Sequence, residues 1–141
     1  MWDARDRLRA HREPEVHRVD LSGLGLDILA WGGNPATFEW FDPPPPDRLA
    51  AALRLVGGLG AVGHGTTATR LTPLGRRLQR IPLHPRLARI LLDGQGAPEV
   101  AAVCALLSEP LWSQVGGVAT ACDLLPLLDR FDRQPPHVTR V

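Results

Sequence analysis

The chain has 141 residues, 44% of them apolar, and a formal net charge of +1, a globular composition long enough for one good core or two small packed modules. All 16 basic residues are arginines, and without lysine neither a phosphate-loop motif nor a Schiff-base nucleophile can be built. The sequence shows no secretory segment and no apolar run near the ~20 residues of a membrane span, and Cys104 and Cys122 lack the paired spacing of zinc or redox sites; the expectation is a cytoplasmic protein with reduced thiols and no membrane partner.

Residues 3–12 ("DARDRLRAHR") alternate acid and base, as in a short exposed helix, and Pro14 then turns the chain. In "DLSGLGLDILAWGG", Asp20 is expected as N-cap, Leu21, Leu24 and Ile28 stand at helical spacing, and Gly32 and Gly33 stop the helix. Gly23 and Gly25 weaken it, so tertiary packing must hold it. "FEWFDPPPP" (38–46) excludes regular helix, because its four prolines fix φ and remove donors. It delivers Asp47 as N-cap of a helix marked by Leu49, Leu53, Val56 and Leu59 and ended by Gly58 to Gly60. Trp31, Phe38, Trp40 and Phe41 cluster around the glycine-proline turn, a pattern expected of a small core rather than a base-stacking platform. "AVGHGTTATRL" reads as two short strands around a Gly-His-Gly turn, with Thr72 as cap and Pro73 as first residue of the next helix. Helix, helix, small hairpin is the order of a winged-helix module.

The second half reads as helices over 73–81, 85–93, 98–109 and about 124–132. Pro82 and Pro85 separate the first two, Pro110 ends the third, and Asp123 can cap the fourth. "PEVAAVCALLSE" is apolar almost all round and is expected at the centre of a small bundle. Charge is concentrated here: Arg70 to Leu92 carries six arginines and no carboxylate, while residues 93–132 hold six acids and one arginine. The molecule is thus internally polarised rather than generally basic. Over 73–81, Leu74, Leu78 and Ile81 share one face and Arg76, Arg77 and Arg80 the other; over 85–93, Leu87, Ile90 and Leu91 are expected inward, with Arg86 and Arg89 outside. A row of guanidinium forks suits phosphate oxygens, since each donates two hydrogen bonds while neutralising charge. The same row also fits a solvated face balanced by the acidic section after it, with Arg86 and Arg89 pairing to Asp93 or Glu99.

No catalytic constellation emerges. The five histidines (11, 17, 64, 84, 137) stand in separate segments, and His84, between Pro82 and Pro85, fits a turn-stabilising place better than catalysis. Ser22, Ser108 and Ser113 lack a nucleophile-elbow context. Trp112 lies in a glycine-bearing connection and is expected to be packed or to face a partner.

The ordered set "HREPEVHRVDLSGLGLDILAWG", "FEWFDPPPPDRLAAALRLVGGLGAV", "RLTPLGRRLQRIPLHPRLARILL" and "VAAVCALLSE" resembles the region just after the motor domains of DEAH/RHA-type helicases, most closely the bacterial HrpB-like branch. The matching positions are Pro14, Glu15 and Val16 of a Pro-Glu-aliphatic step; Trp40 or Phe41 with Asp42, Pro43 and Pro44 of an aromatic-x-x-Asp-Pro-Pro turn; and Leu71, Thr72 and Gly75 of a Leu-Thr-x-x-Gly segment. The resemblance implies a mainly α fold: a linker over 1–13 after a missing motor domain, a winged-helix module over 14–71, a helical ratchet domain over 72–132 and a truncated tail over 133–141. It implies the accessory portion of an ATP-dependent RNA or DNA helicase, closing a channel around a single strand, with Arg76, Arg77, Arg80, Arg86 and Arg89 facing nucleic acid or docking on RecA-like motor domains. ATP and magnesium would belong to those motor domains; the chain has no Walker A loop, DEAH box or arginine-finger motif and is expected to be a fragment without catalysis of its own. Two rival readings are a free-standing winged-helix DNA-binding regulator, whose recognition helix would offer only Arg48 and Arg54, and a protein-docking adaptor.

Overall fold

The computed structural model describes residues 13–64 and 69–108, with positions 124, 128, 129 and 131. After a 3-10 turn at Glu15–His17, helix α1 runs over Ser22–Trp31. Asp20 Oδ1 accepts the Ser22 N–H at 2.8 Å, so the carboxylate serves the first turn from one place before Leu21, which holds the N-cap position. Gly32 adopts φ +93°, and the Gly32 and Gly33 N–H groups return to the Leu29 and Ile28 carbonyls at 3.2 and 2.9 Å, a left-handed closure natural to glycine. Leu21, Leu26, Ile28 and Leu29 are buried, whereas Leu24 is exposed: of the three positions predicted inward, Leu21 and Ile28 meet the core and Leu24 does not.

Helix α2 (Pro46–Gly58) starts on the last proline of the run rather than behind an Asp47 cap. Pro46 sits where its missing N–H costs nothing, the Pro45 carbonyl accepts from Arg48 and Leu49 at 3.1 Å, and Asp47 lies in the first turn, where its charge suits the helix dipole. Gly60, at φ +72°, turns the chain into the two-stranded antiparallel hairpin of β1 (Val62–His64) and β2 (Thr69–Leu71), with Val62 opposite Leu71 and Gly63 opposite Arg70. Gly63 and His64 are thus strand residues rather than turn residues.

Helix α3 (Pro73–Gln79) is held at its start by Thr72, whose hydroxyl accepts the Gly75 N–H at 3.0 Å and donates to the Gly60 carbonyl at 2.8 Å. It stops two residues before the predicted end, where the Ile81 N–H returns to Leu78 at 3.2 Å. Helices α4 (Pro85–Asp93) and α5 (Pro98–Ser108) follow. In α4 the buried positions are Pro85 and Ala88; Ile90, predicted inward, is 47% exposed. In α5 Cys104, Ala105 and Leu106 are buried, and burial raises the Cys104 thiol pKa. Residues 3–12, Trp112, Cys122 and most of the helix predicted over 124–132 lie outside the described residues.

The larger of two apolar clusters joins Leu26 and Leu29 of α1, Val56 of α2, Ala61, Leu71 of β2, Leu78 of α3 and Ala88 of α4, and the smaller holds Ala105 and Leu106 of α5. The fold is mainly α, a winged-helix arrangement followed by a small helical bundle, and its apolar centre runs through residue 72 without a break. Among the described residues no helix is long and apolar enough to cross a membrane.

Candidate nucleic-acid interface

The five arginines of the predicted row are not equivalent in three dimensions. Arg76, Arg77, Arg80 and Arg86 are exposed, and none of them meets a carboxylate among the described residues. Arg89 is different: its Nε donates to Asp93 Oδ2 at 2.8 Å and its Nη1 to the Leu59 carbonyl at 2.8 Å, so it ties α4 to the end of α2. Its i, i+4 pairing with Asp93 is one of the two partnerships the sequence offers.

Arg76 and Arg80, one helical turn apart, come together with Arg70 in a groove of about 580 Å³ between the end of α1, β2 and α3. Leu29 and Leu71 supply its apolar floor, and Ala30, Gly32 and Gly33 its α1 side. Arg70 is not among the predicted site residues. Strand alternation is the signal that could have found it, since Leu71 turns into the core and the residue before it must point the other way. Arg77 lines neither this groove nor a second one of about 890 Å³ that Arg86 borders with Asp27, Leu78, His84 and Ser108.

A Ser-His-Asp trio does exist, at the junction of α1 and α4. His84 Nε2 lies 3.2 Å from Asp20 Oδ1 and 3.3 Å from Ser22 Oγ. His84 Nδ1, however, accepts the Arg86 N–H at 3.2 Å, which puts the proton of the neutral ring on Nε2. Nε2 is then a donor, and the Ser22 hydroxyl donates to Asp20 rather than to the imidazole. Ser22 is fully buried. This is a capping cluster that fixes the starts of two helices, not an activated nucleophile. Partial burial raises the Asp20 carboxyl pKa, but the Ser22 hydroxyl and amide and the nearby His84 outweigh it and hold the group below its ordinary value.

On α2, Arg48 is committed to backbone: Nη1 donates to the His17 carbonyl and Nη2 to that of Arg18 at 3.3 Å. Of the two basic residues a recognition helix would offer, only Arg54 stays outside that network.

No protein-family model matches the chain. It is 38% identical over 109 residues to the ATP-dependent RNA helicase HrpB of Escherichia coli (strain K12), a match that covers 74% of this chain and 13% of that protein. It is 37% identical over 86 residues to the ATP-dependent RNA helicase HrpA of the same organism (59% and 7%), and 38% identical over 80 residues to the ATP-dependent RNA helicase DHX33 of Mus musculus (56% and 12%). The crystal structure of the Escherichia coli DEAH/RHA helicase HrpB matches 94% of this chain with 16% of its own, at a TM-score of 0.68 and 34% identity. The chain therefore spans only a small part of the length of each of these relatives. Sequence and fold agree on one lineage: the chain is akin to one segment of the DEAH/RHA helicases, HrpB among them.

Proposed function

We propose that the chain is the accessory portion of an ATP-dependent RNA or DNA helicase that holds a single strand against RecA-like motor domains and performs no catalysis alone. The observation that supports this most directly is the groove in which Arg70, Arg76 and Arg80 converge without carboxylate partners among the described residues. Arg77 and Arg86 are exposed outside this groove, Arg86 on the second one, and Arg89 ties α4 to the end of α2. A translocating strand must be gripped through its backbone, which is common to every sequence, and guanidinium forks provide that grip. The regulator reading is weaker, because Arg48 is spent on the turn before α1. ATP and magnesium belong to the motor domains in this proposal. This chain has no lysine for a phosphate loop. No nucleotide chemistry is assigned to its residues.

The test is fluorescence anisotropy of the chain with labelled single-stranded RNA, single-stranded DNA and duplex across a salt series. Binding is expected to favour single strands and to fall with salt, and Arg76→Ala with Arg80→Ala should weaken it and lower the salt slope by about 0.7 for each phosphate left without its guanidinium. Both positions are surface sites, so stability should change by no more than about 0.5 kcal/mol each. Preference for one duplex would favour the regulator; no binding at low salt would leave the face to protein docking.

A further inference from the structure

The aromatic turn next to the arginine groove is not the small core its composition suggests. Trp31, the last residue of α1, is 81% exposed, and its chain neighbours Ala30 and Gly32 both line the groove with Arg70, Arg76 and Arg80. The indole nevertheless has a fixed seat. Phe38 meets it at a centroid distance of 6.4 Å with the planes 61° apart, Trp40 meets Phe38 at 5.0 Å and 65°, and Trp40 Nε1 donates to the Pro35 carbonyl at 3.3 Å. A chain of tilted ring contacts orients the outermost ring while leaving most of its surface in water.

The groove's charge is also more than the fold needs. The carbonyl end of α1 points toward it, but a helix C-terminus carries only about half a negative charge, against three guanidinium groups. An oriented, exposed indole at the rim of an over-charged groove combines the two elements by which proteins hold unpaired nucleic acid: a π surface for a base and cations for the backbone. A duplex keeps its base faces within its own stack, so the combination selects single strands without selecting sequence.

Building on the groove reading above, we infer that Trp31 is a base-stacking platform: a single strand crossing the end of α1 lays one base on the indole while Arg70, Arg76 and Arg80 hold the neighbouring phosphates. Arg70 thereby joins the interface, and the winged-helix side of the fold contributes directly to strand contact.

The experiment separates stacking from charge. The 141-residue chain is titrated by fluorescence anisotropy against a labelled oligothymidylate of about 12 nucleotides and against an abasic oligomer of the same length, which keeps the phosphates and lacks the bases. Trp31→Ala should weaken thymidylate binding about tenfold, leave abasic binding and the salt slope unchanged, and leave the thermal midpoint unchanged; Trp31→Phe should keep most of the affinity. Arg76→Ala with Arg80→Ala should weaken both oligomers and lower the slope. Unchanged thymidylate binding in Trp31→Ala, or an equal loss on both oligomers, overturns the stacking inference while leaving the arginine reading standing if the double variant still loses affinity. Failure of both oligomers to bind at low salt overturns both readings.

Discussion

Gly75 shows how one residue can fix a helix in place. A Cβ on it would collide with the Ala61 carbonyl oxygen and lie 3.0 Å from a methyl of Leu71, so α3 reaches the chain between α2 and β1 only because that atom is missing. Thr72, three residues earlier, is bonded to the same segment: its N–H donates to the Ala61 carbonyl at 2.9 Å and its hydroxyl to that of Gly60. The Leu-Thr-x-x-Gly segment is therefore one device, in which Leu71 is buried, Thr72 caps and Gly75 allows close approach. In an unconstrained helix interior Gly→Ala is stabilising by roughly 0.5–1 kcal/mol. Here the sign should reverse: Gly75→Ala should destabilise the chain by about 1–3 kcal/mol or more, the cost of overpacking against backbone that has no rotamer to yield. Urea denaturation checks this, and a midpoint at or above that of the wild type would contradict the close approach. The spacing of this segment announces a helix start in the sequence, but the need for glycine does not, because the obstructing carbonyl comes from a different element.

Helix boundaries set by local chemistry are legible in the sequence, and those set by neighbours are not. Pro85 opens α4 and Gly94 follows its last residue, both residue-level signals, and the predicted 85–93 is the observed helix. The prediction for α3 overruns because Leu78 and Ile81 keep helical spacing beyond the point where the backbone closes at Gln79. Helical spacing makes the arginine row a single face because it treats each helix as isolated. Packing divides the row, turning Arg89 onto the Leu59 carbonyl and bringing Arg70 from a strand alongside Arg76 and Arg80. The starts of α1 and α4 are likewise joined by a contact no spacing reveals: Asp20 and Ser22 meet His84 from the far side of the sequence, 62 positions separating Ser22 from His84. Asp20 ionises more readily in the folded chain than at its ordinary value of 3.8, so its bonds stabilise the fold at neutral pH. That contribution fades as pH falls below about 4 and through the lowered folded value. Asp20→Asn should lower the thermal midpoint at neutral pH and make its decline on acidification shallower. The side chain is half exposed, so the effect should stay below about 1 kcal/mol. Thermal melts of both proteins from neutral to acid pH test it, and parallel curves would show that the carboxylate does not couple to folding.

For the molecule as a whole, the decisive feature is that α1, α2 and β2 share an apolar centre with α3 and α4. Leu78 of α3 is 1% exposed and belongs to the same cluster as Leu26 and Leu29 of α1, Val56 of α2 and Ala88 of α4. Its truncation therefore removes packing on both sides of the predicted division at residue 72, and Leu78→Ala should cost roughly 2–5 kcal/mol, depending on how far the surroundings collapse into the space. If the cluster is a single cooperative unit, the loss should appear as one transition moved to lower denaturant, with far-ultraviolet circular dichroism and tryptophan fluorescence giving the same midpoint. Of the four tryptophans, Trp31 and Trp40 lie on the α1 side of the core, while the helical signal sums α1 to α5, so the two probes weigh the two sides of the shared centre differently. Separated midpoints would mean that the two halves melt independently and that the continuity at residue 72 is contact without cooperation. Coincident midpoints would mean that α1, β2 and α3, which form the groove, unfold only together with the core beneath them, so that a strand-holding surface built on them persists as long as the fold does.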